Sequence, residues 1–261
     1  MKLNSYAICA PGFIRIENQD NLYINGIFRE NITDNSDFAH ANKSDNNGLY
    51  AVADGMGGEK FGELAALVTV QEMKNIKFSD ENQGMAEYLI KRNTAICNLI
   101  KENNGSRIGS TFAGLYINKG DADIVNIGDS RVYLFRDWEL TQLSQDHTIT
   151  QQMINIGVLT KEAAATRSDR HKLTQHLGIF PHEMVIEPYF TKTDVKTGDI
   201  FLLCSDGLTD MLSDINIKDI LIGSASIKTK AESLYAEALE KGGKDNITII
   251  LVEVKKKGLF K

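Results

Sequence analysis

Apolar residues gather in short runs that end at turn residues, a pattern typical of β-strands. It predicts strands over residues 6–10, 48–53, 112–118, 122–127, 132–136, 200–204 and 247–254. Asn118-Lys119-Gly120-Asp121 and Arg136-Asp137 carry turn residues between strand-like runs. Because strands joined by short turns pair antiparallel, we expect antiparallel sheets.

Three longer segments, residues 62–78, 85–103 and 230–241, repeat apolar residues at helical spacing. Residues 31–47 are rich in Asn and Asp and predict an exposed loop, while residues 148–180 predict a partly helical insert. Strand runs interrupted by helices, without strict βαβ alternation, favour a layered α+β fold. No linker or repeat is visible, so we interpret residues 1–261 as a single domain.

The composition narrows the classes of partner. A net charge of −6 argues against a nucleic acid or an anionic membrane as the main ligand. No apolar run approaches the roughly 18 to 20 residues of a membrane span, and the N-terminal run is too short for a secretory signal. We therefore expect a cytoplasmic protein whose three separated cysteines are buried thiols.

Asp54 stands at the end of a predicted strand and is followed by three glycines in the next four positions. Glycine lets the backbone approach a ligand closely, so a carboxylate and a free carbonyl oxygen can lie side by side. Mg²⁺ and Mn²⁺ prefer such oxygen ligands. A glycine-rich turn with a capping aspartate is the alternative interpretation of this segment taken alone.

The same arrangement recurs along the chain. Asp206 and Asp129 each follow an apolar run, Asp245 directly precedes the last run, and Asp210 lies one helical turn beyond Asp206. Several carboxylates at strand ends would repel one another, and bound cations relieve that repulsion. Arg15 comes shortly before a further carboxylate, Asp20, and beside a metal centre it becomes a candidate for bidentate recognition of a phosphate.

Seven segments in this order resemble the type-2C (PPM) metal-dependent protein phosphatases, and together they span residues 15–248. They are Arg15 with Asn18-Gln19-Asp20, Asp54-Gly55-Met56-Gly57-Gly58, Gly109-Ser110-Thr111, Gly128-Asp129-Ser130-Arg131, Asp146-His147, Ser205-Asp206-Gly207 and Asp245-Asn246-Ile247-Thr248.

The resemblance implies a four-layer αββα sandwich, with two antiparallel sheets flanked by helices and a centre of two Mn²⁺ or Mg²⁺ ions. In such enzymes the aspartate matching Asp54 bridges both ions and the carbonyl matching Gly55 binds one of them. Asp206 and Asp245 match ligands of the other ion. The remaining assignments are Asp20 for an ordered water, Asp129 and Asp210 with Asp206 for a weaker third ion, Arg15 for phosphate, and residues 146–180 for the flap of bacterial members.

The resemblance further implies hydrolysis of phosphoserine and phosphothreonine by a water or hydroxide that bridges the two ions. It implies phosphorylated protein substrates, an opposing serine/threonine kinase and a monomer. Glu59 stands where many bacterial relatives have a histidine that protonates the leaving group. We expect Glu59 to be a loop acid and His147 to be structural. Two alternatives stay open: a catalytically silent regulatory binding module, and the same fold acting on a small phosphoester or a phosphorylated regulatory domain.

Overall fold

The computed structural model describes residues 1–57, 61–76, 83–104 and 106–256. Within these ranges the strands are as follows: β1 Lys2–Ala10, β2 Asp20–Ile24, β3 Ile27–Phe28, β4 Phe38–Asp45, β5 Asn47–Met56, β6 Gly109–Ser110, β7 Phe112–Asn118, β8 Asp121–Ile127, β9 Arg131–Arg136, β10 Glu139–Gln142, β11 Tyr189–Asp194, β12 Ile200–Cys204 and β13 Ile247–Lys255. The helices are α1 Gly62–Val70, α2 Gln83–Glu102, α3 Ile149–Asn155, α4 Lys161–Ala165, α5 Asp206–Thr209, α6 Asp214–Leu221 and α7 Ile227–Glu240.

The strands form two antiparallel sheets. One has the order β10-β9-β12-β13-β1-β4 and the other the order β11-β8-β7-β5-β2-β3, with the short strand β6 beside β5. The hairpin between β7 and β8 turns at Lys119 and Gly120, whose φ angles are 51° and 111°. The hairpin between β9 and β10 turns at Asp137 and Trp138, with φ angles of 51° and 66°. Two consecutive positive φ angles match the right-handed twist of the flanking strands, as tight hairpins require.

The sheets pack face to face and bury a core between them that includes Leu22, Val52, Leu115, Phe201 and Ile250. Helices α5, α6 and α7 cover the outer face of the first sheet, and helices α1 and α2 cover the outer face of the second. Central strands such as β12 are therefore buried along their whole length, which explains their unbroken apolar sequence. The expected four-layer αββα sandwich is confirmed.

The prediction of an exposed loop is partly wrong, and the prediction of a partly helical insert is confirmed. Residues 31–47 are not a loop throughout, because β4 occupies Phe38–Asp45 at the edge of the first sheet and pairs with β1. The half-buried positions of β4 include His40, Asn42 and Ser44, so no apolar alternation marks the strand. The insert, residues 148–180, contains α3 and α4 and is partly helical, as its sequence predicts.

Two further predictions concern the cysteines and membrane-spanning helices. Cys9, Cys97 and Cys204 are buried free thiols, as expected, and burial raises the pKa of Cys9 to about 11. No helix in the described parts of the chain has the length and apolar character needed to cross a membrane.

Candidate metal centre

The aspartates at the strand ends meet at one end of the sandwich. Asp20 is the first residue of β2 and lies directly opposite Asp54 of β5 in the sheet register. Asp206 follows β12, Asp245 lies two residues before the start of β13, and Asp129 follows β8. Strands of both sheets therefore contribute carboxylates to this end of the sandwich.

The backbone around Asp54 is held by close contacts on both sides. The Asp54 amide donates to Oγ1 of Thr111 at 3.0 Å, and the Thr111 amide donates to the Asp54 carbonyl at 2.8 Å. A Cβ atom at Gly55 would lie only 1.9 Å from the carbonyl oxygen of Gly62 and 2.6 Å from that of Gln19. Glycine at position 55 is thus required by the approach of neighbouring backbone, a reason different from the approach of a ligand that the sequence suggests.

Asp20 lies at the bottom of the centre with only 1% of its surface exposed. Its Oδ2 accepts hydrogen bonds from the hydroxyls of Ser205 and Thr248, each at 2.7 Å, whereas its buried Oδ1 has no partner among the described atoms. Burial raises the pKa of Asp20 to about 7, against the opposing effect of those two hydrogen bonds. An unpartnered buried carboxylate oxygen is costly, and it marks a place for a cation or a water molecule.

Burial and mutual repulsion also raise the pKa values of two other carboxylates. The pKa of Asp54 is raised well above its usual value, first by burial and then by the charges of Asp20, Asp206, Asp129 and Asp245. The pKa of Asp129 is also raised, by burial and by its acidic neighbours. These carboxylates can all be ionised near neutral pH only with compensating positive charge beside them.

Arg15 supplies part of that charge. Its Nε donates to Oδ1 of Asp245 at 2.9 Å and its Nη2 donates to Oδ2 at 2.8 Å, which makes a bidentate pair between residues far apart in sequence. The pair lies at the surface, because the Arg15 side chain is 57% exposed. Arg15 therefore stands at the mouth of the centre, where sequence analysis placed a phosphate-binding group.

A cleft of about 750 Å³ gathers most of the predicted residues. Its lining includes Arg15, Asp54, Gly55, Asp129, Asp206 and Asp245. Asp210 lies instead in an adjoining cavity of about 460 Å³. Asp129, His171 and Asp206 line both spaces and so form the partition between them.

The sequence does not predict the roles of several side chains that support the centre. Ser205, Thr248 and Thr111 stand inside the recognised motifs, but their hydrogen-bonding roles emerge only from the fold. His171 carries no local sequence signal, because it lies in the insert and reaches Asp206 and Asp210 through tertiary contact. Glu59, the candidate leaving-group acid, lies outside the described residues.

The second candidate acid, His147, has a structural environment. Its Nδ1 accepts a hydrogen bond from the Gly128 amide at 3.2 Å, and burial lowers its pKa. The neighbouring Asp146 is engaged by Arg131, whose Nη2 lies 2.6 Å from its Oδ2, and by Gln142. These contacts agree with the expectation that His147 is structural.

The donor set fits hard divalent cations. Asp54, Asp206 and Asp245 offer carboxylate oxygens and Gly55 offers a carbonyl oxygen, which are the ligands that Mn²⁺ and Mg²⁺ take in proteins. The unpartnered Oδ1 of Asp20 offers a further oxygen, and the raised pKa values of the carboxylates fit a centre in which cations offset the carboxylate charges.

Comparison with known proteins agrees with this geometry. The family model described as Protein phosphatase 2C matches residues 29–241. Serine/threonine protein phosphatase PstP of Mycobacterium tuberculosis is 33% identical over 214 residues, which are 79% of this chain but only 40% of that protein. Serine/threonine phosphatase stp of Listeria welshimeri is 32% identical over 253 residues, which are 93% of this chain and 92% of that protein.

Among solved structures, the catalytic domain of PstP in complex with two manganese ions matches with a TM-score of 0.79 and 28% identity, over 98% of this chain and all of that one. The family match covers most of the chain, and the described residues bring the expected oxygen ligands into one cleft. The chain therefore belongs to the protein phosphatase 2C (PPM) family of metal-dependent serine/threonine phosphatases, alongside its bacterial members.

Proposed function

We propose that this protein hydrolyses phosphoserine and phosphothreonine in protein substrates with the help of Mn²⁺ or Mg²⁺. The observation that carries the proposal is the convergence of Asp54, Asp206 and Asp245 in one cleft, with Asp20 buried beneath them. These residues come from both sheets and are widely separated in sequence. A silent regulatory member is the less favoured alternative, because all three primary carboxylates are present and grouped.

Each residue has a distinct role in the proposal. Asp54, Asp206, Asp245 and the Gly55 carbonyl would hold the two cations. When bound, the cations would lower the pKa of a coordinated water and offset charge on the phosphoryl oxygens. Asp20 would accept a hydrogen bond from the attacking water through Oδ1, because Ser205 and Thr248 already occupy its Oδ2.

Arg15 would bind the phosphate. Its two donor nitrogens now face the two oxygens of Asp245, and a phosphate group presents a similar pair of oxygens. The exposed side chain can exchange one partner for the other without disturbing the core, since exposed ion pairs contribute only about 0–1 kcal/mol. Binding of substrate would thus move Arg15 from Asp245 to the phosphate.

The rim of the cleft suits a polypeptide. Ile14 and Ile16 flank Arg15, line the cleft and are 67% and 89% exposed. Apolar side chains on both sides of a phosphate-binding arginine can contact the residues around a phosphorylated serine or threonine, which a small phosphoester lacks. We further propose that the protein acts as a cytoplasmic monomer and opposes a serine/threonine kinase.

The test is hydrolysis of a phosphothreonine peptide and of para-nitrophenyl phosphate with Mn²⁺. Asp54→Asn keeps the size of the side chain but removes its charge, and we expect turnover of both substrates to be abolished. We expect the same loss for the wild type in excess EDTA. Asp137→Asn, the same change in an exposed hairpin turn, serves as the matched control and should keep full activity. Full turnover in EDTA, or by Asp54→Asn, would contradict the metal-dependent mechanism.

A further inference from the structure

His171 joins the insert to the metal centre. One ligand atom from each of Asp129, His171 and Asp206 lies within 4.8 Å of the others. Around a cation with bonds of about 2.1 Å in octahedral geometry, adjacent ligand atoms lie about 3 Å apart and opposite ones about 4.2 Å apart. Since no pair of these atoms is more than 4.8 Å apart, an opposite pair would have to close by at most about 0.6 Å and an adjacent pair by at most about 1.8 Å to bind one ion.

We propose that His171 is a nitrogen ligand of the cation site formed by Asp129 and Asp206, so that a bound cation fastens the insert to the sandwich. The inference rests on the proposed metal dependence of the centre. It differs from the all-carboxylate third site that the family resemblance implies, because one ligand comes from the insert and is not an oxygen.

The two ring nitrogens of His171 face different carboxylates, as such a ligand requires. Nδ1 lies 3.6 Å from Oδ2 of Asp206, which lines both the metal-centre cleft and the adjoining cavity. Nε2 lies 3.2 Å from Oδ2 of Asp210, on the side of the adjoining cavity. A metal-binding histidine usually donates its other N–H to a carboxylate, which fixes the tautomer and the ring orientation. Asp210 would thus position His171 rather than bind the cation itself.

The backbone holds His171 in place while its ring keeps some freedom. The Ile149 amide donates to the Lys172 carbonyl at 3.0 Å, and the Thr174 amide donates to the His147 carbonyl at 2.8 Å. These bonds tie the segment after His171 to the beginning of the insert, beside the bridge between Thr148 and Leu173. The His171 side chain is 38% exposed, so its ring can turn toward the cation without leaving a cavity in the core.

The nitrogen ligand has a consequence for metal choice. Imidazole binds Mn²⁺ and later transition metals in preference to Mg²⁺, whereas carboxylate and carbonyl oxygens suit Mg²⁺ as well. We expect this site to prefer Mn²⁺ over Mg²⁺ more strongly than an all-oxygen site would. His171→Asp, which supplies an oxygen in place of nitrogen, should reduce that preference.

The experiment is electron spin-echo spectroscopy of Mn²⁺ bound to protein that carries ¹⁵N-labelled histidine. We expect a ¹⁵N coupling of a directly bound imidazole in the wild type as the weaker site fills. The coupling should be lost in His171→Asn and kept in His182→Asn, the same change at an exposed histidine whose ring lies tilted beside that of Phe180. Mn²⁺ titration by calorimetry should show the weaker site of His171→Asn weakened on the order of 10- to 100-fold.

A wild type without the ¹⁵N coupling would overturn the proposal, and so would a coupling that persists in His171→Asn. In either case His171 would be only an ion-pair partner of Asp206 and Asp210. Because the readout is Mn²⁺ binding and not turnover, a protein without phosphatase activity would still give a decisive result. Failure of this inference and failure of the proposed function are therefore separate outcomes.

Discussion

Replacing Asp20 by asparagine is expected to stabilise the metal-free protein above neutral pH. Burial raises the pKa of Asp20 from 3.8 to about 7 in the folded state. Between these values the folded protein holds a proton that the unfolded chain has lost, so the unfolding free energy falls by about 1.4 kcal/mol per pH unit. The stabilising effect of this proton is complete below pH 3.8 and is lost as the pH rises through about 7.

From pH 5 to pH 8 the wild type should therefore lose about 2–3 kcal/mol through Asp20 alone, with little further loss above pH 7. Asparagine carries no charge at any of these pH values, and its carbonyl oxygen can accept the same two hydrogen bonds from Ser205 and Thr248. The variant should lack this part of the pH dependence. Its advantage at pH 8 corresponds to a rise in Tm of about 4–12 °C at 2–4 °C per kcal/mol.

The measurement is urea unfolding of both proteins in excess EDTA at half-unit steps from pH 5 to pH 8. Asp137→Asn, in an exposed turn, should follow the wild-type profile and so controls for the change of net charge. Equal slopes for the wild type and Asp20→Asn would refute the reasoning, because Asp20 would then be ionised across the whole range. With saturating Mn²⁺ in place of EDTA, the wild type should be more stable than Asp20→Asn at pH 8, because cation binding stabilises the wild type more strongly.

Two further substitutions test the scaffold of the site. Gly55→Ala would place a methyl group 1.9 Å from the Gly62 carbonyl oxygen and so displace the backbone beside Asp54. We expect calorimetry to show a loss of Mn²⁺ binding. An unaltered affinity would show that the backbone at this position can move to accept the methyl group. Asn93→Ala removes buried hydrogen bonds to the amides of Gly178 and Ile179 at the end of the insert, at a cost of about 2–4 kcal/mol in unfolding free energy. A loss below 0.5 kcal/mol in urea unfolding would mean that water replaces those bonds.

Much of the fold is determined locally. The predicted strands at residues 112–118 and 200–204 coincide with β7 and β12, because residues buried on both faces leave an unbroken apolar run in the sequence. Gly120 and Asp137, which accept positive φ angles more readily than most residues, each mark one of the two hairpin turns. The sequence does not indicate strand β4 for the complementary reason: an edge strand with polar residues on both faces has no period that distinguishes it from a loop.

At the site, local sequence patterns identify the residues that carry oxygen ligands and their positions before or after strands. Which of these residues become neighbours depends on how the chain packs. The register that sets Asp20 opposite Asp54 and the pair between Arg15 and Asp245 depend on how whole sheets align. The contact of His171 with Asp206 and Asp210 depends on how the insert packs against the sandwich. Hydrophobic periodicity and turn chemistry act over a few residues, whereas these contacts result from the packing of the entire core, which no local pattern records.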